Sequence, residues 1–381
     1  MLYTRLKETF LTVFGKGGEL YATPGSLVVL GEQADVLGGF ALAAAVDRIT
    51  AVMVRENGTD KARIFYMDSN ELDEVSPSLP PTKAWTKSLH GVMTLLRNHG
   101  LPIKGFDAVV GGLLPNQTFF SGYSSLTTLG CLVLNDINQL GLSRFDMVKL
   151  AQEADTMTSG RPVSVIHPFV ALFGQSDKLI RVNCHTLEYE YLSLPSSEVA
   201  LLLLDASRQT GSLLTDKSGV AALGGQAIAT LQTLFPSLSR LSDLTTEMLD
   251  GAGKHLSSDL MAACRYALIE NTATQKAYGA LLKSDKDGFG SALNDVQQAL
   301  FDYQAEQVEE VTFLLAAARQ YQLLGARAIG FGRAGCTLNV LDESAIPAFT
   351  ELAATNYRQE YNRDLRIHPL KLVNGASRIS F

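Results

Sequence analysis

The chain reads Thr23-Pro-Gly-Ser-Leu-Val-Val-Leu-Gly-Glu-Gln-Ala-Asp-Val-Leu-Gly-Gly-Phe40 near its N-terminus, and this stretch decides the fold. Residues 26–30 form an apolar run with paired valines, which is typical of a buried strand. Glycines and two carboxylates follow, at Glu32 and Asp35. Such acidic residues either shape a turn and start a helix, or accept hydrogen bonds from the hydroxyls of a ligand. The residues leave both roles open.

The stretch 23–40 resembles the opening motif of galactokinases, members of the GHMP superfamily of small-molecule kinases. The family pattern is approximately P-G-R-x-N-x-I-G-E-H-x-D-Y-x-x-G-F. The chain keeps its proline, its glycines, its phenylalanine and both carboxylates, at Pro24, Gly25, Gly31, Glu32, Asp35, Gly39 and Phe40. The resemblance implies a site for a galactose-like sugar, with five substrate-binding candidates: Glu32, Gln33, Asp35, Gly38 and Gly39.

Three residues of this motif depart from the family pattern. Ser26 replaces the family's Arg, Gln33 its His, and Val36 its Tyr. In galactokinases the Arg stabilises charge near the transferring phosphoryl group, whereas Ser26 carries no charge. Because phosphoryl transfer depends on positioning and on electrostatic stabilisation, the change at Ser26 bears directly on the transition state.

A second match to galactokinases runs from Ala151 to Glu188 without a gap. Its alignment puts His167, followed by Pro168, where the family has the Asp that acts as the catalytic base. A carboxylate positioned for this proton transfer is typically worth ~10²–10⁴ in rate. Three interpretations of His167 stay open: a residue that fills a relic site, a substituted base, or a metal ligand. Ser26 and His167 are therefore the two candidate catalytic positions.

The phosphate loop is also altered. Galactokinases read approximately P-L-G-x-G-L-S-S-S-A-S-L, and the chain reads Pro115-Asn-Gln-Thr-Phe-Phe-Ser-Gly-Tyr-Ser-Ser-Leu126. Glycines in such a loop let backbone N–H groups approach phosphate oxygens at a helix N-terminus. Bulky residues at Gln117, Phe119 and Tyr123 are expected to crowd a triphosphate. The candidates that remain for an anion site are Ser121, which we expect to cap the next helix, with Gly122, Ser124 and Ser125.

A third motif lies near the C-terminus, where residues 325–337 resemble the family's G-A-R-M-T-G-G-G-F-G-G-C-T. Gly330, Gly332 and Gly335 match family glycines, so the resemblance places them against the phosphates and the substrate. Phe331 and Arg333 replace a glycine and a phenylalanine. A glycine-rich turn is weak evidence of a family on its own, but this one falls at the expected place in the alignment.

Composition limits the other classes of function. The chain has 381 residues, 46% of them hydrophobic, and a net charge of −7. An acidic chain without a basic block is not expected to bind nucleic acid or an anionic membrane surface. No run of about 20 apolar residues predicts a membrane span, so a cytoplasmic protein is expected. The cysteines are widely spaced, which predicts no metal site and favours buried thiols at Cys131 and Cys336.

Strands mixed with helices in an irregular order predict an α+β fold. Long helices are expected at 219–234, 257–282 and 290–322, and a last strand at 365–373. The family resemblance implies a two-domain GHMP kinase fold, with an N-terminal domain like the second domain of ribosomal protein S5 and a C-terminal ferredoxin-like domain. The Pro-Ser-Ser stretch at 195–197 places the boundary between 1–196 and 197–381.

Two functions from different classes follow from these residues. The first is a catalytically impaired galactokinase-like protein that keeps at most sugar binding or a regulatory role. The second is an active kinase that transfers phosphate from ATP to a galactose-like or related substrate. The active enzyme needs ATP and Mg²⁺, and the impaired protein needs neither. The sequence identifies no protein partner and no oligomeric state.

Overall fold

The structure, a computed structural model, describes residues 1–112, 122–206, 217–303, 308–330 and 334–380, with the backbone alone at 217–222. The chain forms two compact units that are discontinuous in sequence. The first comprises Met1–Leu27, Ala44–Ser176 and Leu372–Phe381, and the second comprises Val28–Ala43 and Asp177–Lys371. These units follow packing and not chain order, so the domain boundary after residue 196 stays a prediction.

Helices and strands occur in an irregular order along the chain. The helices in the described ranges are α1 Leu2–Phe14, α2 Ala34–Leu37, α3 Lys87–Asn98, α4 Gly122–Asn138, α5 Arg144–Ser159, α6 Ile166–Phe173, α7 Lys217–Leu234, α8 Thr246–Ala252, α9 Ser258–Leu282, α10 Lys286–Tyr303, α11 Glu309–Gln320 and α12 Ile346–Tyr361. The strands there are β1 Glu19–Leu30, β2 Phe40–Glu56, β3 Ala62–Tyr66, β4 Glu71–Val75, β5 Phe106–Gly112, β6 Lys178–Asn183, β7 Tyr189–Ser193, β8 Val199–Asp205, β9 Gly325–Ala328, β10 Cys336–Asp342, β11 Arg366–Leu370 and β12 Ser377–Ile379. Short 3₁₀ turns lie at Ala84–Thr86, Leu241–Asp243 and Glu343–Ala345.

The first unit is a sheet covered on both faces by helices. Its strand order is β12-β1-β2-β5-β3-β4, with β3 parallel to β5. Successive residues of a strand point to opposite faces, so neighbours on β5 serve different layers. Val109 packs with Leu6 and Phe10 of α1, whereas Val110 lines an apolar cleft with residues of α3 and α4. This layered packing fixes α4, at whose start the phosphate-loop candidates lie.

The second unit is built on an antiparallel sheet of order β11-β8-β10-β9. Leu202 and Leu204 of β8 pack in one core cluster with residues of α11 and α12, among them Phe349 and Tyr357. The β6–β7 hairpin pairs with Phe40–Ala43 at the start of β2. The turn that contains the carboxylates of the opening motif also lies in this unit.

Two predictions of secondary structure were wrong. The helix expected at 290–322 is two helices, because α10 ends at Tyr303 and α11 begins after Val308, whose backbone is extended. Glu309 and Glu310 in the first turn of α11 favour a new N-terminus through the helix dipole. The last strand is β12, which pairs with β1, and not the segment 365–373, whose strand β11 is shorter and pairs with β8.

Candidate functional site

The two candidate catalytic positions lie together in the first unit. The Ser26 hydroxyl and His167 Nδ1 share a hydrogen bond of 3.0 Å. Ser26 lies on β1 with 1% of its surface exposed, and His167 is half-buried on α6. The side chains that stand for the family's Arg and Asp are thus bonded to each other. Ser26 contributes a neutral hydroxyl to this pair.

His167 is held by a buried helix that sequence reasoning did not predict. Pro168 lies in the first turn of α6, where the missing N–H of proline breaks no helical hydrogen bond. The next residues are buried, and the rings of Phe169 and Phe173 stack at 4.5 Å. The apolar run of 166–173 was the available signal for this helix. The packing of α6 fixes the position of the His167 imidazole.

A buried carboxyl lies below the start of α4 in the same unit. Asp155 of α5 is 6% exposed and accepts a hydrogen bond from the Thr127 hydroxyl. Burial raises the pKa of Asp155 to about 6, against the opposing effect of the Thr127 and Ser124 hydroxyls. Its Oδ2 atom has no hydrogen bond of good geometry to any described residue. The sequence placed Asp155 in a matching motif but gave it no role.

The phosphate-loop candidates are only partly described. Ser121 and Gly332 lie outside the described residues, as do Gln117 and Phe119. Gly122, Ser124 and Ser125 are buried in the first turn of α4. The Ser125 hydroxyl donates to the carbonyl of Pro24 at 3.1 Å, so it ties α4 to the opening motif. Tyr123 is exposed.

Glu32 in the second unit is held by protein groups on both of its carboxylate oxygens. Arg327 of β9 lies 2.8 Å from Oε2, and the N–H of Gly330 donates to Oε1 at 3.1 Å. The guanidinium also donates to the carbonyl of Val29 at 3.2 Å and is almost wholly buried. The geometry therefore gives Glu32 a role in holding the turn, whether or not it also meets a ligand.

The neighbouring positions of the turn present polar groups around α2. Gln33 is 1% exposed, and its carbonyl accepts from the N–H groups of Val36 and Leu37. Its side-chain oxygen is buried without a hydrogen-bond partner among the described residues. Asp35 lies in the first turn of α2, where a carboxylate is favoured by the free N–H groups. Gln33 is thus the N-cap residue of this short helix, and Asp35 lies two residues further along.

Gly38 and Gly39 are required by the backbone. Their φ angles are +88° and +90°. A Cβ on Gly38 would lie 2.6 Å from the Ser242 hydroxyl, and one on Gly39 would lie 2.9 Å from Asn271 Oδ1. The chain can therefore leave α2 and enter β2 only with glycine at these two positions.

The third motif joins the turn through one glycine. Gly330 has a φ of +62° and provides the N–H that binds Glu32. Gly335, with a φ of +70°, accepts a hydrogen bond from the N–H of Ala206 at 2.9 Å. The structure thus brings Glu32, Arg327 and Gly330 together within the second unit. Arg327 was not among the predicted site residues, although it lies in the matching motif.

Helix α9 contributes a carboxyl that sequence reasoning missed. Glu270 is 4% exposed and accepts from the Tyr266 hydroxyl at 3.3 Å. Burial raises the pKa of Glu270 to about 7, aided by Glu32 and opposed by Arg327. The buried residues of α9 recur every three or four positions, and Glu270 is one of them, but no motif in the sequence marks it.

The cysteines add no reactive group to the site. Cys131 and Cys336 are buried, as predicted, and burial raises the pKa of both thiols, which makes them unreactive. Within the described ranges, no three His, Cys, Asp or Glu side chains form a group that could hold a metal. None of the helices described there is long and apolar enough to cross a bilayer.

Comparison with known proteins gives a consistent result. No protein-family model matches the chain. It is 26% identical to the galactokinase of Clostridium beijerinckii over 98% of both chains, and 25% identical to that of Limosilactobacillus fermentum over 99% of both. The crystal structure of Lactococcus lactis galactokinase complexed with galactose covers all of both chains with a TM-score of 0.91 at 24% identity. Methanococcus jannaschii mevalonate kinase matches with a TM-score of 0.64 over 95% of this chain and 100% of its own, at 13% identity. The α+β fold shared by these small-molecule kinases is thus confirmed.

Proposed function

We propose that this chain, which is similar to galactokinases over 98% of its residues and has the GHMP kinase fold, binds a galactose-like sugar and is impaired in phosphoryl transfer. The hydrogen bond between Ser26 and His167 carries the proposal. It joins the residues at the two catalytic positions to each other, and neither residue supplies the permanent charge that the family has there.

The expected loss of rate follows from the two replacements. General base catalysis contributes roughly 10²–10⁴, and removing one group that stabilises transition-state charge costs about 10²–10³. Effects of groups that act as a unit are not additive, so we take the larger single effect as the minimum. Turnover is then expected at least ~10²-fold below the ~1–100 s⁻¹ of ordinary kinases.

Sugar binding rests on the turn of the second unit. Gln33 is the N-cap residue of α2, Asp35 lies in its first turn, and the paired glycines Gly38 and Gly39 hold the return into β2. Carboxylate and amide oxygens accept hydrogen bonds from sugar hydroxyls. The Lactococcus lactis neighbour, which was crystallised with galactose, makes a galactose-like sugar the ligand to test first.

The residues present fit Mg²⁺ only in part. Mg²⁺ is usually bound by one or two carboxylates together with substrate phosphates. Asp155 offers one buried carboxyl whose Oδ2 lacks a hydrogen bond to the described residues, with Ser124 beside it. These two residues would hold the ion if Mg-ATP binds. The ion would supply neutralisation of phosphate charge, and Asp155 must lose its proton before it can contribute.

The second candidate function is an active ATP-dependent kinase in which His167 is the base. One observation favours it: Ser26 holds the imidazole ring through Nδ1. If Nδ1 carries the proton, Nε2 is the basic nitrogen that can accept one from a sugar hydroxyl. Such a pair of residues would orient a base instead of filling a relic site.

Two measurements separate these functions. Calorimetry with D-galactose and with Mg-ATP tests binding, and a coupled assay over a panel of sugars tests turnover. The impaired protein binds galactose, shows little or no turnover, and keeps any residual rate in His167→Ala. An active kinase turns over at ordinary rates and loses about 10²–10⁴ in the same variant. The exposed His185 provides a matched control, His185→Ala, with no effect in either case. Ordinary turnover by the unmodified chain contradicts the proposal.

A further inference from the structure

The segment 373–379 lies against the end of helix α6 in the first unit. The N–H of Ala376 donates to the carbonyl of Ala171 at 2.7 Å, and the N–H of Gly375 donates to the carbonyl of Gly174 at 2.8 Å. The last carbonyls of a helix have no partner within it, so they take partners from elsewhere in the fold. The segment therefore caps the end of α6 with its own backbone.

The same segment continues directly into β12, which pairs with β1. Ser377–Ile379 lies antiparallel to Leu20–Ala22 of β1. Ser377 follows Ala376, which is bonded to α6, and consecutive Cα atoms are only about 3.8 Å apart. No slack is thus left between the attachment to α6 and the attachment to β1. The segment ties these two elements together at a fixed separation.

The close approach of the segment to α6 depends on Gly375. A Cβ at this position would lie 2.5 Å from the carbonyl oxygen of Leu172 and 3.0 Å from that of Ala171. The Leu172 carbonyl also accepts a hydrogen bond from the Arg144 guanidinium, which restrains it. Ordinary contacts between a carbon and a carbonyl oxygen are about 3.3–3.6 Å, so a side chain at Gly375 must push the segment and α6 apart by roughly 1 Å.

The hydrogen bond between Ser26 and His167 joins the same two elements. Ser26 lies on β1, four residues beyond the stretch that pairs with β12. His167 lies on α6, one turn before Ala171 and on the same side of the helix. The part of α6 that the segment holds is therefore the part that carries the imidazole.

We propose that the segment 373–379 positions the Ser26–His167 pair, and that Gly375 is a positioning residue whose missing side chain sets the distance of 3.0 Å between the Ser26 hydroxyl and His167 Nδ1. Gly375 acts through the carbonyls at the end of α6. The inference deepens the proposed function, because that function rests on the same pair. Its test needs neither a sugar nor a nucleotide.

Gly375→Ala should break the hydrogen bond between Ser26 and His167. A displacement of roughly 1 Å takes the two atoms beyond the ~3.5 Å at which a hydrogen bond is lost. Proton–nitrogen NMR of the histidine side chains measures this, because the Nδ1 resonance depends on whether the atom is hydrogen-bonded. His167→Ala assigns the resonance, and Ser26→Ala defines its position without the bond. Gly375→Ala should move the resonance most of the way to that position.

Two further sites make the test specific. Gly17→Ala is the matched control, because a Cβ there meets nothing within 4 Å, and it should leave the resonance unchanged. The side-chain oxygen of Asn374 accepts from the N–H of Ser176 at 3.0 Å, just past α6. Asn374→Ala should move the resonance in the same direction as Gly375→Ala by a smaller amount, whereas Asn374→Asp keeps an acceptor and should restore it. The Asn374 variants decide the question if Gly375→Ala does not fold.

The spectra separate positioning from a general loss of stability. A lower melting temperature in Gly375→Ala with an unchanged His167 resonance would mean that the segment only caps α6, and it would overturn the proposal. An equal movement of the resonance in Gly17→Ala would also overturn it. In the double variant Ser26→Ala/Gly375→Ala, where the pair is already broken, the second change should have no further effect on His167. Failure to bind D-galactose, or turnover at an ordinary rate, contradicts the proposed function and leaves these spectra as they are.

Discussion

Arg327→Met removes the cation that the buried carboxyls of the second unit share. The guanidinium lies 2.8 Å from Glu32, and it also donates to the carbonyls of Val29 and Ala328. With methionine in its place, the partly exposed Glu32 and the buried Glu270 lose their compensating charge. Breaking a buried ion pair from one side typically costs about 3–5 kcal/mol of folding free energy. We expect a loss in this range at pH 7.5.

The same arrangement predicts how the loss varies with pH. Acid protonates Glu270, whose pKa burial raises to about 7, so the penalty of burying its charge without the cation falls at low pH. The loss at pH 5.5 should be smaller than that at pH 7.5 by at least ~1 kcal/mol, a little under the 1.36 kcal/mol of one pKa unit. The lost packing is the same at both pH values, so this difference reports the protonation of the buried carboxyl.

Urea denaturation at the two pH values measures both quantities. Arg358→Met is the matched control, because Arg358 pairs with Asp364 and both side chains are largely exposed. Exposed pairs contribute roughly 0–1 kcal/mol, so the control should lose little at either pH. Equal losses for Arg327→Met at pH 5.5 and pH 7.5, or a loss as small as that of the control, would refute the reasoning.

Three further changes test other parts of the molecule. Asp155→Asn should flatten the pH dependence of the free energy of unfolding. The pKa of Asp155 rises from 3.8 to about 6 on folding, so the stability that the protonated carboxyl contributes is full below pH 3.8. That stability is lost as the pH rises through 6, by at most roughly 3 kcal/mol. Denaturation at pH 4 and pH 8 checks this, and an unchanged slope contradicts it. Gly290→Ala places a Cβ 2.2 Å from the backbone oxygen of Leu324, so the melting temperature should fall by more than the few degrees of an ordinary surface substitution. Gly279→Ala, which places its Cβ in open space, is the control. Tyr357→Phe removes a buried hydroxyl that donates to the carbonyl of Ala206 at 3.0 Å; a loss of about 1–3 kcal/mol is expected in urea, and no loss would mean that the bond is not formed in solution.

Much of the fold could be predicted from local patterns. The helices at 217–234 and 258–282 lie within a few residues of their predicted positions, 219–234 and 257–282. Their signals are periodic apolar residues, which depend only on the chain itself. The prediction of one helix at 290–322 was wrong because the apolar residues keep a helical spacing across the break between α10 and α11. The acidic first turn at Glu309 was the signal that could have shown the break.

The candidate site was less accessible to sequence reasoning. Ser26 and His167 were placed at family positions, but their hydrogen bond joins residues 141 positions apart and leaves no local pattern. Arg327 was visible in a matching motif, and its partner Glu32 in another, yet nothing in the sequence pairs them. Glu270 lies in no motif that was used.

The sequence alone determined the kinship of the chain, the order of its motifs and the places where charge or glycine has been replaced. Those features are identities at given positions, which the covalent chain fixes without folding. The tertiary structure decided which groups meet: Ser26 with His167, and Glu32 with Arg327 and Gly330. It also decided which carboxyls titrate unusually, since the pKa of Asp155 and that of Glu270 are raised by burial. Desolvation and partner charges depend on residues far apart in the chain, so they exist only once it has folded.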